Sequence, residues 1–192
     1  MPDLVLFSGG LDSTVLLYDA IERNPDAGVI SFDFGQPSIR EELYAVAQFK
    51  HHLDFSGPVL KIPMLRVETY MGSGGDGPRV LPGRNLIMLA YAQQYAAMNG
   101  FDRVVYGATK DDHDAYPDCT PRFVGMLSQA TWLDTKVRVA IPLAGHTKAQ
   151  VVERGRELNV PFAWTWSCYQ PVALNRPCGE CASCVAREAA LS

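Results

Sequence analysis

A chain of 192 residues, 47% apolar and 20% charged, is long enough for one substantial α/β domain and has the balance of a globular protein in water. Its net charge of −4 lacks the basic footprint of a general nucleic-acid binder, although a local basic pocket stays open. No apolar run reaches bilayer length, and Met1-Pro2-Asp3 enters the first apolar run without a basic leader. The expectation is a cytoplasmic protein with no membrane or nucleic-acid partner, whose five cysteines stay reduced.

Leu4-Val5-Leu6-Phe7 runs straight into Ser8-Gly9-Gly10-Leu11-Asp12-Ser13-Thr14, which reads as a buried strand, a tight loop and the start of a helix. Two glycines let backbone N–H groups approach a ligand, and Asp12 or Ser13 suits the helix cap. Free N–H groups and the positive end of the helix dipole favour an anion, and a phosphate chain fits. The loop has no Gly-Lys-Ser/Thr ending and so is not a Walker A loop. The bland alternative is a glycine-rich turn.

Apolar positions from Thr14 to Arg23 continue the helix, and Gly28 to Phe34 forms a second strand, so the crossover implies a parallel sheet. Ser38 to Leu53 is a helix with Ser38 and Glu41 as a capping box. Pro58 to Ile62 is a third strand. Residues 71–78 are too glycine-rich for regular structure and read either as a lid or as a passive connector. Leu86 to Met98 is an apolar helix expected to be mostly buried, and Arg103 to Gly107 is a fourth strand. A polar loop spans Thr109 to Arg122. The following helix, Phe123 to Leu133, puts Phe123, Met126, Leu127 and Ala130 on one face. Val137 to Ile141 is a fifth strand, and Thr147 caps a helix reaching Leu158.

Cys168, Cys178, Cys181 and Cys184 make a C-x9-C-x2-C-x2-C array. Four thiolates at tetrahedral geometry suit a closed structural Zn²⁺ site; an iron–sulfur cluster is the rival. Cys119 stands apart and reads as a packing residue rather than a nucleophile.

The Ser-Gly-Gly-x-Asp-Ser loop resembles the pyrophosphate loop of PP-loop ATPases. Further motifs narrow the resemblance to the 7-cyano-7-deazaguanine synthase family: Ser31-Phe32-Asp33-Phe34-Gly35-Gln36, Pro82-Gly83-Arg84-Asn85, Tyr116-Pro117-Asp118-Cys119, Thr147-Lys148-Ala149, and Thr165-Trp166-Ser167-Cys168-Tyr169 with the later cysteines. The resemblance implies a Rossmann-like, adenine nucleotide alpha hydrolase-like fold: a parallel five-stranded sheet flanked by helices. Residues 1–164 would form the ATP-binding and adenylation domain and 165–192 a zinc-binding module. It also implies an ATP-dependent ligase of queuosine-precursor biosynthesis. Such an enzyme joins ammonia to 7-carboxy-7-deazaguanine, gives the nitrile through acyl-adenylate and amide intermediates, and releases AMP and pyrophosphate. A homodimer is implied as well.

On that model Phe7, Ser8, Gly9, Gly10, Leu11, Asp12, Ser13 and Thr14 hold ATP, with Ser31 and Phe32 near adenine. Ser8, Asp12, Ser13 and Lys148 serve the chemistry, Lys148 balancing the departing pyrophosphate; otherwise Lys148 is a solvated lysine placed unfavourably on a helix's first turn. Mg²⁺ would neutralise the phosphates. Arg84 binds phosphate or the substrate carboxylate, or forms a structural ion pair. Gln36, Arg40, Asp112, Tyr116 and Asp118 are the substrate-side candidates, Asp118 favoured for a guanine-like edge, although loop aspartates also serve as simple turn residues.

Some segments depart from the family pattern. Pro37-Ser38-Ile39 replaces the basic residues usual after Gly-Gln, and Asp112-His113-Asp114-Ala115-Tyr116 replaces Asp-Tyr/Phe-Ser-Gly-Tyr. A variant that stops at the amide is therefore an alternative product reading. Another PP-loop enzyme, such as a tRNA sulfurtransferase, and a nucleotide-sensing module are alternative functions.

Overall fold

The computed structural model describes residues 2–55, 57–63 and 81–192, so the segments 64–70 and 71–78, including the lid reading, lie outside the described residues. Five strands alternate with helices: β1 (Asp3–Leu6), α1 (Leu11–Arg23), β2 (Gly28–Asp33), α2 (Ile39–Leu53), β3 (Val59–Lys61), α3 (Arg84–Asn99), β4 (Arg103–Val105), α4 (Pro121–Thr135), β5 (Arg138–Ala140), α5 (Lys148–Glu157) and α6 (Ala182–Leu191). All pairings are parallel, in the order β3-β2-β1-β4-β5. Strand order reverses between β1 and β4, and their carboxyl ends open the crevice where ligands sit in such sheets.

Strands covered on both faces must be apolar throughout, and Leu4, Val5, Ile30, Val104 and Val105 are fully buried. One core layer packs α3 and α4 against the sheet through Leu89, Ala92, Ala96 and Leu127. The other packs α1, α2 and α5 through Leu16, Leu17, Phe49 and Val152, and Ala190 and Leu191 at the end of α6 join it. Phe49 meets Phe7, Tyr18 and Trp164 edge to face, at centroid distances of 5.8, 6.2 and 5.8 Å. Truncating it to alanine would cost about 3–5 kcal/mol.

Some local expectations are corrected. Gly10, not Asp12 or Ser13, is the N-cap of α1, without a side-chain cap. Ser38 does hold the N-cap position of α2, but its hydroxyl donates to Glu42 Oε1 at 2.6 Å instead of capping a backbone N–H, so the Ser38–Glu41 box does not form. Helix α3 is only half covered: Leu86, Ile87, Tyr91 and Met98 are exposed. The buried face of α4 is Val124 and Leu127, with Met126 outside, so its apolar face is rotated from the Phe123–Met126–Leu127–Ala130 reading. The polar loop contains two 3-10 turns, Lys110–Asp112 and Pro117–Cys119. The Thr147 cap forms, with Gln150 completing a capping box.

Candidate active site

The β1–α1 loop folds on its own hydroxyls. Ser13 Oγ donates to the Gly10 carbonyl at 3.1 Å and lies 3.2 Å from Ser8 Oγ, which accepts the Gly10 N–H at 3.3 Å. Thr14 Oγ1 donates to the same carbonyl at 2.8 Å. Gly9 has φ +74°, and a Cβ there would stand 2.8 Å from Ala45 Cβ, so only glycine lets α2 pack this close to the loop. A Cβ on Gly107, after β4, would press on the Asp12 and Ser13 backbone at 3.1 Å. The two loops of the crevice therefore touch through glycine.

Across this loop stands the first residue of α5. Lys148 Nζ donates to Asp12 Oδ2 at 2.9 Å. Asp12 Oδ1 is buried with no hydrogen-bond partner among the described residues. Burial pushes the Asp12 carboxyl above the ordinary aspartate value, and the Lys148 ammonium offsets only part of that. Burial alone would pull Lys148 down, but Asp12, Asp112 and Asp111 hold its pKa above the ordinary lysine value. Asp111 Oδ2 also accepts the Lys148 backbone N–H at 2.7 Å, tying the loop after β4 to the start of α5.

At the end of β2, Gln36 turns inward. Its amide donates to the Phe32 carbonyl at 3.2 Å and to Glu42 Oε2 at 2.8 Å. Burial raises the Glu42 pKa above the ordinary value, against hydrogen bonds from Ser38 and Gln36. Arg84 donates to Asn85 Oδ1 at 3.2 Å, and its guanidinium lies 5.7 Å from the Phe34 ring centroid.

These groups surround one cavity of about 260 Å³. Among the predicted residues, Phe7, Ser8, Gly10, Leu11, Asp12, Ser13, Phe32, Gln36, Arg84, Asp112, Tyr116 and Lys148 line it. Gly9, Thr14, Ser31, Arg40 and Asp118 are not among the lining residues. Gly9 and Thr14 shape the loop from behind. Ser31 Oγ is spent on the Phe7 carbonyl at 2.6 Å, and Arg40 is exposed. The Asp118 carbonyl accepts the Tyr106 hydroxyl, while the Asp112 carboxylate, which does reach the wall, accepts the N–H and hydroxyl of Thr109 at 2.8 and 2.7 Å. Cys119 is buried in the α3–α4 core layer, where burial pushes its thiol up to about 12, so it packs as expected.

Glu42, Asn85, Trp166, Ser167, Tyr169 and Arg187 also line the cavity and were not anticipated as site residues. Trp166, Ser167 and Tyr169 flank Cys168, so their place in the cysteine motif was the available signal. What brings them in is a long-range bond: the Trp166 N–H donates to the Gly9 carbonyl at 2.9 Å.

The four cysteine Sγ atoms lie within 4.8 Å of one another. Tetrahedral thiolates around one Zn²⁺ would stand about 3.8 Å apart, and Cys168–Cys178 and Cys178–Cys184 are 3.5 and 3.9 Å. The Cys178 N–H donates to Cys168 Sγ and the Cys181 N–H to Cys178 Sγ, both at 3.3 Å, as a thiolate knuckle needs. The cluster fits a metal ion.

A parallel sheet with a Ser-Gly-Gly-x-Asp-Ser loop at its switch point defines an α/β enzyme of the PP-loop ATPase class. Within that class, the chain belongs to the family described as Queuosine biosynthesis protein QueC, whose model matches residues 3–192. It is similar to a 7-cyano-7-deazaguanine synthase from Leptospira interrogans, at 34% identity over 96% of this chain and 84% of that protein. Another, from Desulfotalea psychrophila, is 35% identical over 98% and 92%. Two solved structures share the fold alone. The U34-tRNA thiolase NcsA from Methanococcus maripaludis with its [4Fe-4S] cluster has a TM-score of 0.56 at 15% identity, over 99% of this chain and 63% of that one. A 4-thiouridine synthetase in an RNA complex with bound ATP has a TM-score of 0.55 at 18% identity, over 99% and 50%. The chain thus spans less than two thirds of either. Among the described residues, no helix is long and apolar enough to cross a membrane.

Proposed function

We propose that this chain is an ATP-dependent ligase that converts 7-carboxy-7-deazaguanine and ammonia to 7-cyano-7-deazaguanine. The observation that carries the reading is Lys148 Nζ on Asp12 across the phosphate loop, in a chain whose relatives carry that synthase name.

A carboxylate is a poor electrophile with a poor leaving group. Attack of its oxygen on the α-phosphorus forms an acyl-adenylate and expels pyrophosphate. Ammonia then displaces AMP and gives the amide after losing a proton. A second ATP adenylates the amide oxygen and expels a second pyrophosphate, and loss of AMP with both N–H protons leaves the nitrile. The protein contributes orientation and charge. Backbone N–H groups from Ser8 to Ser13 meet the phosphates, and Lys148, released from Asp12, stabilises the leaving pyrophosphate. Ser31 and Phe32 are proposed on the adenine side, with Ser31 acting through the Phe7 carbonyl. Arg84, Asp112 and Tyr116 face the deazapurine, with Gln36 holding the β2 end in shape.

Mg²⁺, when bound, supplies positive charge to the phosphates, and the unpartnered Asp12 Oδ1 is the oxygen suited to it. Zn²⁺ is the ion proposed for Cys168, Cys178, Cys181 and Cys184, where it supplies folding energy. Residues 165–192 are read as a metal module packed on a 1–164 nucleotide domain. The exposed Leu86, Ile87 and Tyr91 on α3 supply an apolar face for a homodimer. A cytoplasmic location and the absence of a nucleic-acid partner belong to the same reading.

The test mixes protein, ATP, Mg²⁺, ammonia and the carboxy substrate. AMP and pyrophosphate with a nitrile product support the proposal; ADP and phosphate overturn it. An amide as the final product favours the variant reading that the departures at 112–116 raise.

A further inference from the structure

Among the described residues, three cationic side chains line the cavity: Arg84, Lys148 and Arg187. Two of them already answer to a carboxylate. Lys148 pairs with Asp12, and Arg84 acts electrostatically on Glu42. Arg187 has no carboxylate partner among the described residues. Its Nη2 donates to the Phe162 carbonyl at 2.7 Å, and its Nη1 donates to the hydroxyls of Thr165 and, at 3.4 Å, Ser167. Five N–H donors are available on a guanidinium, so Nε–H and one Nη2 hydrogen are left over. The guanidinium is half-buried, Cys184 one turn before it on α6 acts on it electrostatically, and its two spare donors are left for a further acceptor.

Its neighbours say what that further acceptor would be. The segment that Arg187 grips, residues 165–167, hydrogen-bonds the phosphate loop through Trp166 N–H and the Gly9 carbonyl at 2.9 Å. Ser183, one turn before Arg187 on α6, lines the same cavity, as do Ser8, Gly10 and Ser13. The loop carries no lysine or arginine of its own.

We infer that Arg187 is a further anion-binding residue of the phosphate loop, delivered from the C-terminal segment, and that it pairs with the polyphosphate of the nucleotide. The inference rests on the nucleotide reading of this cavity and extends it to a side chain outside the loop, the α3 start and the α5 start. Helix α6 begins directly after Cys181 and contains Cys184, so the cysteine cluster sets the position of the guanidinium. A bidentate fork on two phosphate oxygens is chemistry that arginine performs and lysine does not.

The experiment measures binding of inorganic pyrophosphate, with Mg²⁺, and of adenosine, both by calorimetry. Arg187→Gln should weaken pyrophosphate by about tenfold or more and leave adenosine unchanged. Arg187→Lys should recover part of the loss. A purely structural clasp would instead lower the melting temperature together with pyrophosphate binding and gain nothing from Arg187→Lys, and that result overturns the inference. So does unaltered pyrophosphate binding. Since the glutamine variant could misfold, the wild-type protein is also treated with phenylglyoxal and the Arg187 peptide read by mass spectrometry. Protection by pyrophosphate supports the assignment, and equal modification with and without it overturns it. A wild-type protein that binds no pyrophosphate overturns the nucleotide reading itself; binding that leaves Arg187 unprotected overturns only this one.

Discussion

Lys148 is the most exposed point of the functional reading. On the proposed mechanism its ammonium balances the leaving pyrophosphate, so Lys148→Met should slow AMP release by about 10²-fold or more in a single-turnover assay. The same change leaves Asp12 unpaired. Its carboxyl already lies above the ordinary value through burial, and losing Lys148 moves it further up. A carboxyl raised in the folded state penalises folding where it must ionise and does not where both states hold the proton. The stability deficit of Lys148→Met should therefore be largest at neutral pH and shrink as the pH falls toward the ordinary aspartate range. Denaturant titrations at two pH values check this. A deficit that grows toward acid would show that Asp12 is not the group left unpaired.

Helix α5 matters because its first residue is Lys148. Thr147 caps it by accepting the Gln150 N–H at 3.3 Å, with Gln150 Oε1 accepting the Thr147 N–H at 2.9 Å. Thr147→Ala should cost about 1 kcal/mol in urea unfolding, and should lower AMP release because the lysine's anchor frays. At the other end of the sheet, β1 is fastened by Asp3. Burial would raise its carboxyl, but Arg103, at 2.7 and 2.8 Å, and Arg23, at 3.0 Å, overcome that and hold it below the ordinary value. A depressed carboxylate contributes stability that is present above the unfolded pKa and lost as pH falls through the folded one. Asp3→Asn should thus destabilise by about 1–2 kcal/mol at pH 7, discounted because both arginines are partly exposed. The difference from the wild type should fade below the folded pKa. Equal losses at pH 7 and in strong acid would contradict the ion-pair account.

For the molecule as a whole, the C-terminal segment is not an appendage. Arg187 ties α6 to Phe162 and Thr165, Arg156 donates to the Leu191 carbonyl at 2.8 Å, and Trp166 holds Gly9. If the cluster holds a structural metal, chelation should lower the melting temperature and weaken pyrophosphate binding together, because the same segment supports the loop. A chelated protein with unchanged melting would sink that coupling. The homodimer proposed through the apolar α3 face makes a separate prediction: wild type should sediment as a dimer and Tyr91→Glu as a folded monomer, and a monomeric wild type would overturn that proposal.

The strand–helix alternation, the phosphate loop and the four cysteines were legible in the sequence because each is a local pattern. Apolar runs, paired glycines and C-x2-C spacing carry their meaning within a few residues. Cap chemistry was less legible: Ser38 takes the N-cap position, but Glu42, one turn on, takes its hydroxyl. The covered faces of α3 and α4 were misread because both helices are apolar nearly all round, and periodicity then has no contrast to report. Which charges share the cavity was decided only in three dimensions. Lys148 reaches Asp12 across 136 positions, and Arg187 reaches the loop through a segment bonded to Gly9. Such meetings depend on where parallel strands end and which side the crossover helices take, and no short window of sequence contains that information.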